Sequence, residues 1–78
     1  MNINNEQEAR EAIASWRGDP LPAQLRNLQQ AVEKLELGQM YYDQKGNEQG
    51  SERLARCMAI LTGRKKEIER RLQDQAGQ

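Results

Sequence analysis

Apolar residues recur along most of this chain every three or four positions, the interval that gathers them on one side of a helix. Ala9, Ala12, Ile13 and Trp16 set up a first short stripe. Asn5 followed by Glu8 has the spacing of a capping box, so a helix is expected over about 6–17. Gly18 suits the left-handed position that ends a helix, Asp19 is a good N-cap for the next one, and Pro20 sits where a missing N–H costs nothing. That short connection folds the first helix back beside the start of the second.

Leu21, Leu25, Leu28, Val32, Leu35, Gln39 and Tyr42 then alternate steps of four and three, the seam of a coiled coil with one polar member. A helix over about 20–45 follows, stopped by Gly46. Leu54, Met58, Leu61, Lys65, Ile68 and Leu72 repeat the pattern in a third helix over about 48–75, which either Asn47 or Ser51 could cap. In an antiparallel pair, facing residue numbers add to a nearly constant total. The two stripes satisfy this when Tyr42 faces Leu54, Gln39 faces Met58, Leu35 faces Leu61, Val32 faces Lys65, Leu28 faces Ile68 and Leu25 faces Leu72. The reversal then falls around Gly46 to Gly50, where turn residues are densest. Periodicity and turn chemistry thus agree on an all-α fold: a single domain over 1–78, with a short helix packed on a long antiparallel hairpin. Glu6/Arg10, Glu52/Arg56 and Glu67/Arg71 stand four apart in the favoured order, each pair adding roughly 0.2–0.5 kcal/mol to its helix.

The seams leave some apolar residues unused. At ~100° per residue, Leu37 and Tyr41 project away from the second helix's seam, with Met40 between them. Helix 1, at ~1.5 Å per residue, reaches back only ~18 Å and is expected to cover the end near Leu21 and Leu72. The loop-proximal half should then show Leu37, Met40 and Tyr41 on one side, with Cys57 and Ile60 on a flank of helix 3. So small a domain gains by burying such residues against a partner helix or a second copy of itself, although singly exposed apolar side chains are also ordinary. Gln39 and Lys65 interrupt the seams. Either they fix register, or they carry their polar ends out to water.

Composition narrows the chemistry. Charged residues make up 31% of the chain against 36% hydrophobic, and acids and bases balance at 12 each, which suits long solvent-facing helices. His is absent and Cys57 is the single cysteine, so the usual neutral-pH base, soft metal ligands and any internal disulfide are missing. No catalytic, cofactor-binding or metal-binding residue is nominated, and an enzyme is not expected. Cys57 has two readings, a buried thiol or one activated by Arg53 and Arg56. Gly63 belongs to no phosphate-binding loop and would allow two helices to approach closely. Arg64, Lys65, Lys66, Arg70 and Arg71 form the one basic concentration and could touch nucleic-acid phosphates. Glu67, Glu69 and Asp74 are interleaved with them and no stacking aromatics accompany them, so a solvated helix face is favoured. With no apolar run long enough for a membrane and no signal-peptide pattern, a cytoplasmic protein is the expectation.

The order of short helix, tight turn and long hairpin resembles the small co-chaperones of type III secretion needle subunits. It equally resembles small phage or plasmid proteins that inhibit host machinery. The likeness is one of size and architecture, implying a helical protein-binding role and assigning no residue a function. The expected activity is therefore that of an adaptor, chaperone or inhibitor that binds another protein. A nucleic-acid accessory factor and a self-assembling bundle are the alternatives.

Overall fold

Capping, turn chemistry and the leucine stripes produce three helices in the computed structural model, which describes residues 2–77: α1 (Glu6–Trp16), α2 (Leu21–Gln44) and α3 (Glu48–Ala76). Among the described residues there is no strand. α2 and α3 form the long pair, and α1 packs on α3 while making only slight contact with α2. The molecule measures 49 × 21 × 14 Å, an elongated shape that leaves much of each helix facing water.

The expected caps hold at two of three places. Asn5 Oδ1 accepts from the Glu8 N–H at 2.9 Å, and Glu8 reaches back to the Asn4 N–H at 2.9 Å, one residue before the cap itself. Asn47 Oδ1 accepts from the Gly50 N–H at 2.9 Å, so Asn47 and not Ser51 starts α3. α2 ends in a Schellman motif. Gly46 takes φ 72°, its N–H donates to the Asp43 carbonyl at 3.1 Å, and the Asn47 N–H donates to the Tyr42 carbonyl at 2.8 Å.

The first turn departs from expectation. Gly18 is not left-handed, and Asp19 does not cap α2. Pro20 (φ −56°, ψ 148°) is the N-cap instead, and its carbonyl accepts from the Ala23 and Gln24 N–H groups, both at 3.0 Å. Pro22 falls inside the first turn, where its missing N–H leaves nothing unpaired.

Leu28, Leu35, Leu54, Leu61 and Ile68 from the two stripes are buried, with Leu21, Leu25, Val32, Tyr42, Met58 and Leu72 packed partly buried against them. Near the loop the pairing is closer-set than the stripes suggest. A Cβ on Gly50 would lie 2.8 Å from the Tyr42 ring, and one on Gly38 would lie 2.8 Å from Leu54. Tyr42 therefore rests on Gly50, one turn nearer the reversal than Leu54, and Gln39 Nε2 donates to Ser51 Oγ at 3.2 Å instead of lying in a Met58 layer. The cause is the tightness of a reversal completed at Gly46 and Asn47, which brings the first turn of α3 directly beside Tyr42. Gly63 plays no such part, since a Cβ there would meet nothing within 4 Å.

α1 is seated differently from the sequence expectation. The residues before it form no helix, Asn5 is extended (φ −149°, ψ 171°), and together they carry the chain beyond the helix's own reach. Ile3 is only 8% exposed and joins the core, while Arg53 Nε donates to the Asn4 carbonyl at 2.8 Å. Glu6 pairs with Arg56 at 2.8 Å as well as with Arg10 at 3.6 Å. Arg56 thus serves α1 and not Glu52, and Glu67 pairs with Arg64 at 3.0 Å and not with Arg71. The strap before α1 therefore reaches the loop-proximal half of the hairpin that was expected to stay uncovered.

Candidate partner-binding surface

Of the five residues nominated for a contact face, Leu37, Met40 and Tyr41 are the exposed ones, at 68%, 59% and 57%. They sit on consecutive turns of α2, on the side away from the α3 seam. Tyr41 packs edge-on against Tyr42 with ring centroids 5.9 Å apart, and Lys45 Nζ stands 5.6 Å from the Tyr41 centroid. Tyr42 points inward, and Arg53 joins its hydroxyl at 3.3 Å while holding the strap.

Ile60 is half-buried against the core, and Cys57 is fully buried. The placement of Cys57 on an open flank is therefore corrected. Ala9 and Ala12 are also fully buried, and small side chains at those positions let α1 close over α3 where Cys57 lies. Burial pushes the Cys57 thiol above its ordinary pKa, Glu6 adds to the rise, and Arg53 and Arg56 oppose it without prevailing. A buried, protonated thiol is a packing group and not a nucleophile.

The basic segment is divided by the fold. Arg64 is 6% exposed, so it leaves the nominated phosphate-contacting set. Its Nη2 donates to Gln24 Oε1 at 3.1 Å and its Nη1 to Glu67 at 3.0 Å, while its buried Nε has no acceptor among the described residues. Gln24, itself 3% exposed, donates from Nε2 to the Asp19 carbonyl at 2.7 Å and the Arg17 carbonyl at 3.4 Å. This chain of bonds ties the α1–α2 turn to α3, and sequence reading missed it. Its one signal was a glutamine inside a leucine-rich turn, which reads equally well as surface. Lys65 is half-buried beside Val32, and Lys66, Arg70 and Arg71 are exposed.

Two hollows lie between α2 and the α1 side of the molecule. One, of about 280 Å³, has Ile3, Leu35, Gly38, Tyr41, Tyr42 and Leu54 among its walls, and the other, of about 180 Å³, is bordered by Trp16, Asn27 and Gln30. Ala31 and Lys34 border both. Among the described residues no group of three or more His, Cys, Asp or Glu could hold a metal ion, and no helix is long and apolar enough to cross a membrane. Comparison with protein-family models, with curated proteins and with solved structures gives no match, so the surface is read from its own geometry.

Proposed function

We propose that this protein is a small, non-enzymatic binding module of the adaptor, chaperone or inhibitor kind, which holds another protein through the outer face of α2. The observation that carries this reading is the grouping of Leu37, Met40 and Tyr41. Among the described residues they are the large hydrophobics left exposed, and they fall on successive turns of one helix. Clustered apolar exposure on a domain this small marks a contact site, whereas scattered exposure would not. Tyr41 adds a rigid amphipathic ring of the kind enriched at interface centres.

The test is the double change Leu37→Ser with Tyr41→Ser. Neither side chain belongs to the core, so helicity and thermal stability should be retained, while affinity for the partner isolated with the wild-type protein should fall by at least about tenfold, a loss of ~1.4 kcal/mol or more. Unchanged affinity would refute the assignment, and collapse of the helical signal would show that the two residues support the fold. Sedimentation of the wild-type protein across micromolar concentrations separates a heterologous partner from self-association. A constant monomer mass removes the second copy as the occupant of this face.

A further inference from the structure

The way α1 is seated specifies what kind of partner fits. Because α1 leans on α3 and barely touches α2, a cleft is left along α2, faced near the loop by the strap residues Asn2, Ile3 and Asn4 and at its other end by Trp16, the last residue of α1. The two hollows that share Ala31 and Lys34 are its halves. From Asn27 to Tyr41 it follows α2 for ~21 Å, at about 1.5 Å per residue, the length of a helix of roughly four turns. Trp16 stands at one end and Tyr41 at the other, with the small residue Ala31 between them, shared by both hollows. Aromatic ends and a low middle accept the rounded, apolar side of a helix. An extended segment would bring its own N–H and C=O groups to a surface without a free strand edge, whereas a helix arrives with most of those groups already paired.

Charge selects the helix further. No Asp or Glu borders either hollow. Lys34 lies midway along, Lys45 lies beside Tyr41, and neither forms an ion pair among the described residues. On α1, Glu8 and Glu11 already accept hydrogen bonds within their own segment, from the Asn4 N–H at 2.9 Å and from Gln7 Nε2 at 3.2 Å. We infer that this cleft along α2 receives an amphipathic helix from the partner protein, its apolar stripe lying between Trp16 and Tyr41 and its carboxylates meeting Lys34 and Lys45. This rests on the protein-binding reading above and names the partner's recognised element. Such a helix, resting along the α2 edge of the cleft, also covers Leu37.

Trp16 is the single tryptophan and reports on the cleft directly. Two synthetic peptides of about four turns, without tryptophan and with the same leucine stripe, one flanked by Glu and the other by Lys, are titrated into the full chain. The Glu peptide should shift Trp16 emission saturably and bind at least about tenfold tighter than the Lys peptide. Lys34→Glu, at an exposed position, should reverse that preference. Ala31→Tyr should weaken both peptides by filling the floor, and Gln73→Ser, at an exposed position of α3 that borders neither hollow, should leave both unchanged. Equal binding of the two peptides, an unaltered preference in Lys34→Glu, or no saturable binding of the Glu peptide up to millimolar concentration overturns the inference. Full-strength binding of the Glu peptide by Ala31→Tyr also overturns it, while leaving the outer face of α2 as the site. Failure of the outer face itself shows separately, as partner affinity that survives Leu37→Ser with Tyr41→Ser.

Discussion

The two ends of the α2–α3 hairpin are held by opposite means. At the loop end the helices close on missing side chains: Tyr42 lies on Gly50, Leu54 lies on Gly38, and Ile3 fills the gap from the strap. At the open end closure is polar, through Arg64, Gln24 and the carbonyls of Asp19 and Arg17. Shape governs the first end and hydrogen bonding the second. A residue of similar size but different polarity should therefore lose more at the second end than at the first.

The largest effect is expected at the polar end. Arg64→Ala removes a packed stem and leaves Gln24 Oε1 buried without its donor, and should lower unfolding free energy by ~3 kcal/mol in a urea melt. Arg64→Met keeps the stem and removes the unpaired Nε together with the charge, so it should recover more than half of that loss. If both variants are equally destabilised, the hydrogen bonds govern this end without help from packing. At the loop end Ile3→Ala should cost ~2 kcal/mol and speed amide exchange around Tyr42, because the strap loses its anchor. Stability within ~0.5 kcal/mol of wild type would mean the strap rests on the hairpin without supporting it.

A glycine pair sharpens the contrast. Gly50→Ala would place a methyl 2.8 Å from the Tyr42 ring, and overpacking of ~1–3 kcal/mol should outweigh the ~1 kcal/mol gained in helix propensity. Gly63→Ala meets nothing and should stabilise by up to ~1 kcal/mol. Equal effects at the two positions would show that close approach does not set the hairpin's spacing. The smallest effect concerns Cys57. Its folded thiol titrates above the ordinary 9.0, so well below pH 9 both folded and unfolded thiols are protonated and contribute no difference. As the pH rises through 9.0 the unfolded chain ionises first and the fold loses stability until the buried thiol also ionises. Wild type and Cys57→Ala, melted side by side, should keep a constant difference at neutral pH and diverge as pH rises through about 9, with the wild type falling faster.

How much could be read in advance divides along similar lines. Asn5, Asn47, Gly46 and the leucine stripes act on neighbours within a turn or two, and the three helices and their hairpin follow from them alone. The seat of α1 depends on Ile3, one apolar residue among asparagines with no periodicity to announce it. The burial of Arg64 depends on Gln24, forty residues away, and nothing in a run of basic residues separates the one that turns inward. Leu37, Met40 and Tyr41 were legible because their exposure follows from α2's own geometry. Cys57 was misplaced because its cover comes from α1.

The clasp between the strap and α3 joins residues 49 and 50 positions apart, whereas Gln39 and Ser51 meet across only 12. Closing the longer span costs more chain entropy, so the hairpin is expected to assemble first and the strap to latch afterwards. Rate measurements on Ile3→Ala should then show faster unfolding with refolding nearly unchanged. A slowed refolding arm would instead put the latch inside the folding nucleus.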